Sequence, residues 1–197
     1  MSVARRGKGR PVTVFAPGGP GHGAAVEVVQ QWVRSLALTG TRLFFQYEQS
    51  GHFELARGIR RQADRDAFEV CGVAEKGRAT RAVGFSRGAR AVVGALIRDA
   101  ERFERVVLIW PPGGWAAGDY ASWVGHEKLK PERVVEPRAK VLVVAQQFDR
   151  DHSVKMAEQW AWALGGRLEV FPASGLMWEE HRERFRAVVG GFLNEAR

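Results

Sequence analysis

The chain has 197 residues, 45% of them hydrophobic and 26% charged, the make-up of one globular domain large enough to bury a full core. Its longest apolar runs, such as VVLIW and VLVVA, are too short to span a bilayer, and no apolar segment follows the basic N-terminus as a signal peptide requires. Half of the net charge of +8 comes from Arg5, Arg6, Lys8 and Arg10, and the one cysteine, Cys71, leaves no internal disulfide and no thiolate metal cluster.

Beyond that arm the arginines alternate with acids, as in RRQADRDAFE and EEHRERFR, which is the pattern of a solvated helix face. No nucleic-acid motif accompanies the charge, so neither a nucleic acid nor a membrane is expected as a partner. A cytoplasmic location is the default expectation.

In chain order, a basic arm (1–10) precedes a single domain (11–197). Strands are predicted at Val12–Ala16, Arg42–Tyr47, Thr80–Phe85, Arg105–Trp110, Lys140–Ala145 and Arg167–Phe171. They are rich in Val, Leu, Ile and Phe without polar alternation, as strands covered on both faces require. Helical patterns fill the intervals: Ala24–Leu38, Phe53–Glu75, Gly88–Arg102, His152–Leu164 and Trp178–Glu195. In the third, Ala89, Val92, Val93, Leu96, Ile97 and Ala100 repeat at i, i+3, i+4, i+7, a stripe turned toward a sheet. The series is α/β: an open, mostly parallel six-stranded sheet with helices on both faces. Ligands of such sheets sit at the carboxyl ends of the strands. The loops at that edge read PGGPGHGAA, EQSGHF, SRGAR, PPGGW, QQFDRDHS and PASGLMWEEH.

Gly84-Phe85-Ser86-Arg87-Gly88 follows one of these strands and opens the clearest helix. A G-x-S-x-G pentapeptide in that setting makes a sharp elbow that exposes the serine hydroxyl. A nucleophilic serine also needs oxyanion donors, a base and a group to orient the base. The backbone N–H of Arg87 is one candidate donor, at a helix N-terminus. The Gly18-Gly19 turn offers the other through Gly19.

On these residues the chain resembles the α/β-hydrolase superfamily, specifically its serine esterases and thioesterases. VFAPGGPG is similar to the oxyanion loop, GFSRGA to the nucleophile elbow, and KVLVVAQQFD to the strand that delivers the acid, which makes Asp149 the orienting acid. LEVFPASG with FRAVVGGFLNEA is similar to the last strand and terminal helix. The resemblance implies a minimal cap, an insertion around 111–137. It also implies a histidine after the glycine of the last-strand loop, where this chain has Gly175-Leu176. His181 is the nearest histidine and is the expected base; His22, His52 and His152 lie on the same edge.

The expected activity is hydrolysis of an ester or thioester of a hydrophobic or aromatic small molecule. Ser86 acts as nucleophile, His181 and Asp149 complete the triad, and Gly19 and Arg87 form the oxyanion hole, with no cofactor and no metal. Trp110, Trp115, Tyr120 and Trp123, with His22, would line the substrate site, although such tryptophans equally suit structural packing or a homodimer face. Two other readings stand beside it. Leucine at 176 would suit a hydrolase-fold protein without hydrolytic activity, a cyclase, lyase or binder of a hydrophobic metabolite. Gly19-Pro20-Gly21-His22-Gly23-Ala24, with Glu48 ending the second strand, partly matches a dinucleotide-binding turn, though Pro20 stiffens it and Glu48 lies far along.

Overall fold

All six apolar runs pair in one sheet, and their lack of polar alternation follows from helices packed on both sides. The computed structural model describes residues 2–19, 24–47, 56–111, 137–149 and 152–195. In chain order the described elements are β1 (Ser2–Arg6), β2 (Val12–Ala16), α1 (Ala24–Ser35), β3 (Thr41–Gln46), α2 (Ala56–Gly77), β4 (Arg81–Phe85) and α3 (Arg87–Arg98). They continue with β5 (Arg105–Ile109), β6 (Lys140–Gln146), α4 (Val154–Ala163) and β7 (Arg167–Phe171). The chain then winds through α5 (Met177–Glu180), α6 (Arg182–Phe185), a π-helical turn (Arg186–Gly190) and α7 (Gly191–Asn194).

The strand order is β1-β3-β2-β4-β5-β6-β7. Every pairing from β3 to β7 is parallel. The seventh strand, β1, is antiparallel to β3 at the edge, with Ser2 opposite Gln46 and Arg6 opposite Arg42. It lies within the basic arm, and all five of its residues are exposed. A strand held by backbone pairing rather than burial carries no apolar signature, and its charges blunt the sheet edge.

The central strands β2 and β5 are buried along their whole length. One core layer sets Val14, Phe45, Val106 and Val143 against Val70, Val92, Leu96 and Trp160 of α2, α3 and α4. The other sets Phe15, Phe44, Val107 and Leu142 against Val29, Trp32 and Val33 of α1 and Phe185 and Leu193 near the C-terminus. The C-terminal helical stretch is not one regular helix. It breaks at His181, whose φ of −125° and ψ of 43° are not helical.

A buried ion pair ties α2 to the start of α3. Arg87 Nε and Nη2 donate to Asp66 Oδ2 and Oδ1, each at 2.7 Å. The two side chains are only 4% and 3% exposed. The guanidinium also lies over the Tyr47 ring, 4.2 Å from its centre. Burial, and then the Asp66 charge, raise the Tyr47 phenol well above its usual range, so it stays neutral beside the pair. Removing one partner leaves the other charge buried. Asp66→Ala is therefore expected to lower unfolding stability by about 3–5 kcal/mol, read from urea denaturation. A loss below about 1 kcal/mol, the range of a surface pair, would show that the pair does not anchor α3.

Candidate active site

The site begins with a close approach of backbones. Ser86 leaves β4 with φ 51° and ψ −114°, an unfavourable conformation for a residue with a side chain, and α3 starts at the next residue. A Cβ on Gly88 would collide with the carbonyl of Ala16 at the end of β2. One on Gly84 would come within 2.5 Å of Ala89 Cα and Gly88 O. The two glycines of the pentapeptide are thus demanded by contact. The Ser86 amide donates to Ile109 O at 2.9 Å, which fixes the elbow to β5 as well.

The first loop rests on this elbow. A Cβ at Gly18 would stand 2.8 Å from Phe85 O and 3.2 Å from Ser86 Cβ. Gly19 follows with φ +53°, and a Cβ built on it would meet no described atom within 4 Å. Arg87 is the first residue of α3, where first-turn amides point off the helix end. Gly18 thus touches the elbow on one side of Ser86, and Arg87 follows the serine directly as the first residue of α3.

The histidine beside the serine is His152. Its Nε2 lies 3.1 Å from Ser86 Oγ, and its Nδ1 lies 3.3 Å from Asp149 Oδ2. The other carboxylate oxygen, Asp149 Oδ1, accepts the backbone N–H of His152 at 2.9 Å. One carboxylate therefore grips both the backbone and the ring of the residue three positions on. A ring that donates from Nδ1 to this carboxylate leaves Nε2 as the acceptor facing Ser86 Oγ. The side chains of His152 and Asp149 are 19% and 13% exposed, sheltered but open to a reacting molecule.

Trp110 covers one face of the imidazole. The two rings are stacked, 5.8 Å apart at 16°. The tryptophan is held in turn by Phe85 at 5.0 Å and by Trp178 at 5.1 Å. Trp178 continues to Trp32 at 6.2 Å, so an aromatic layer runs from the core up to the histidine.

The expected base, His181, is not at the serine. Its Nε2 faces Pro172 O at 3.3 Å and its ring lies 6.2 Å from that of Phe171. The reason is packing: Trp178 fills the space beside Phe85 and Trp110, and the chain turns out of helical geometry at His181. The loop before it is folded onto Glu180, whose carboxylate accepts the N–H groups of Ser174 and Gly175. Leu176, in the position where the resemblance implied a histidine, is 40% exposed. His22, Trp115, Tyr120 and Trp123, with the 112–136 stretch of the cap and Glu48, lie outside the described residues.

His152 had a signal in the sequence. Asp-x-x-His is the spacing at which a carboxylate caps an amide three residues on, and the ring of that residue is then within its reach. The helical pattern predicted from His152 hides this, because α4 begins only at Val154 with Ser153 at its cap. Two residues fewer of helix leave His152 in the loop, beside the serine. Among the described residues no three His, Cys, Asp or Glu side chains gather as a metal site would need.

No sequence-family model matches the chain, and no curated protein matches it in sequence. Solved structures match it closely in shape. A meta-cleavage product hydrolase from Pseudomonas fluorescens, complexed with acetates, superposes with a TM-score of 0.71 at 15% identity, over 99% of this chain and 94% of its own. A hydrolase from Pseudomonas aeruginosa gives 0.72 at 15% identity, over 98% and 94%. An esterase from Exiguobacterium antarcticum gives 0.69 at 15% identity, over 98% and 95%. The chain has the α/β-hydrolase fold.

The stacked tryptophan provides a test of how the imidazole is held. A ring stacked on a histidine that becomes cationic contributes about 0.5–2 kcal/mol, so Trp110→Leu is expected to slow reaction of Ser86 with a fluorophosphonate about two- to thirtyfold. Trp110→Phe, which keeps a face for the ring, should recover most of that rate. An unchanged rate in Trp110→Leu would mean that the stack does not position His152.

Proposed function

We propose that this protein is a serine hydrolase acting on an ester or thioester of a hydrophobic or aromatic small molecule, with Ser86 as nucleophile, His152 as base and Asp149 as its orienter. The observation that carries the reading is the unbroken contact from Asp149 Oδ2 through His152 to Ser86 Oγ, at 3.3 and 3.1 Å. It coincides with a strained elbow on the fold that an esterase from Exiguobacterium antarcticum shares.

In this mechanism Ser86 Oγ attacks the substrate carbonyl while His152 Nε2 takes its proton. The negative oxygen that develops is held by the backbone N–H groups of Gly19 and Arg87, and the helix start adds its positive end. His152 then returns the proton to the leaving alcohol or thiol, and the acyl group stays on Ser86. A water molecule, deprotonated by the same nitrogen, attacks the acyl-enzyme and releases the acid. Asp149 keeps the ring in the productive tautomer and steadies the imidazolium.

Phe148, 62% exposed beside the acid, and Trp110 beside the base give this edge an aromatic character that suits an apolar acyl or alcohol group. The non-hydrolytic reading rested on Leu176, and it weakens where another histidine stands within hydrogen-bond reach of the serine.

The test is activity-based labelling and turnover of p-nitrophenyl acyl esters. Ser86→Ala should abolish labelling by a fluorophosphonate. His152→Ala should lower kcat by about 10³-fold or more, as removal of a triad base does elsewhere. His181→Ala should stay within about twofold of wild type, the scale of an exposed substitution away from the chemistry. Wild-type protein that neither labels nor turns over esters would overturn the proposal, and loss of activity in His181→Ala alone would assign the base to the other histidine.

A further inference from the structure

At the opposite end of the sheet from Ser86, three arginines meet around a cavity that the hydrolytic reading does not use. It has a volume of about 250 Å³ and is lined by Arg6, Gln30, Val33, Arg34, Arg42 and Phe44. Arg6 closes β1 and Arg42 stands near the start of β3, directly opposite one another in antiparallel register, so they share one face of the sheet. Arg34, in the last turn of α1, brings the third guanidinium. Phe44 and Val33, 4% and 1% exposed, supply the apolar floor.

These charges lack partners among the described residues. None of the three arginines forms an ion pair among the described residues. The Nε of Arg42 is buried, and no described residue accepts its hydrogen. Like charges directly opposite on paired strands repel, and a buried N–H without an acceptor carries its full desolvation cost. A bound anion would remove both penalties at once.

We propose that this cavity binds a small phosphate monoester, its phosphoryl group between the three guanidiniums and its organic part against Phe44 and Val33. The guanidinium fork matches phosphoryl oxygens in pairs, and three forks suit a dianion with three free oxygens better than a carboxylate with two. The volume lies below the roughly 300–1,000 Å³ of sites for larger ligands, which limits the occupant to a small one. Arg5, Lys8 and Arg10 in the same arm keep the local potential positive and draw an anion toward the edge. The site stands at the amino ends of the parallel strands, whereas Ser86 follows the carboxyl end of β4. Its occupant is therefore a second ligand and not the hydrolysed substrate.

The test uses phenyl phosphate and the full chain, with calorimetric titration and thermal unfolding in parallel. Wild type and Ser86→Ala should bind it equally, saturably and with one site, which separates this proposal from the hydrolytic one. Arg34→Gln and Arg42→Gln should each weaken binding about tenfold, the worth of one charge-assisted contact. Arg34 is exposed on a helix, so its replacement leaves the fold intact and keeps the test decisive even if Arg42→Gln folds poorly. The proposal is overturned by absence of saturable binding, by affinities that both replacements leave unchanged, or by stabilisation that sodium chloride reproduces at equal ionic strength. Benzoate binding as tightly as phenyl phosphate would overturn the phosphoryl assignment.

Discussion

The edge that carries Ser86 depends on how closely the first turn of α3 can approach the end of β2. Gly88 lies against the carbonyls of Ala16 and Pro17, nearer than any side chain would permit, and Gly84 lies under Ala89 in the same way. This contact pulls the helix start across the strand ends and forces Ser86 into its φ of 51°. A residue in such a conformation costs about 1–3 kcal/mol and persists only where its surroundings over-determine it. Here β5 holds its amide, the first loop presses on it through Gly18, and α2 holds the following residue through the Asp66 pair. Hydroxyl, helix start and glycine loop are thus brought together by one packing constraint.

The second feature is the economy of the acid and the histidine. In the arrangement that the resemblance implied, the two side chains come from different loops, and their meeting depends on both. In this chain a single carboxylate fixes the backbone of its partner as well as the ring, four residues from end to end. The last-strand loop is then free of that duty. It is closed on Glu180, and the nearby Trp178 takes part in the aromatic layer that supports Trp110. The histidine is held below by that layer and behind by Asp149, which leaves its Nε2 edge turned to the serine.

Most of the architecture could be read from residues alone, because it rests on local pattern. The unbroken apolar runs marked the strands to within a residue or so, and the flanking glycines with the stripe from Ala89 to Ile97 marked the elbow and its helix, which ends at Arg98, four residues before the predicted Arg102. Ser86 follows β4 directly and Asp149 comes three residues after the end of β6, so their places were legible too. Three things were not. β1 is held by backbone pairing with β3 and buries nothing, so no hydrophobic run announces it. The break at His181 answers to the tertiary packing of Trp178, which periodicity along one helix cannot report. The meeting of His152 with Ser86 depends on α4 starting two residues late, a shift smaller than the resolution of any boundary drawn from sequence.

The central claim is that Asp149 and His152 act on Ser86 as one unit. The most direct measurement is nitrogen NMR of the protein with its five histidines labelled in the ring. A histidine that donates from Nδ1 to a carboxylate and accepts at Nε2 is held in the Nδ1–H tautomer, the minor form of a free imidazole. The account predicts one histidine in that form, absent from His152→Ala and returned to the ordinary tautomer in Asp149→Ala. Finding His152 in the Nε2–H form in the wild-type protein would contradict it, since that nitrogen could not then accept the serine proton.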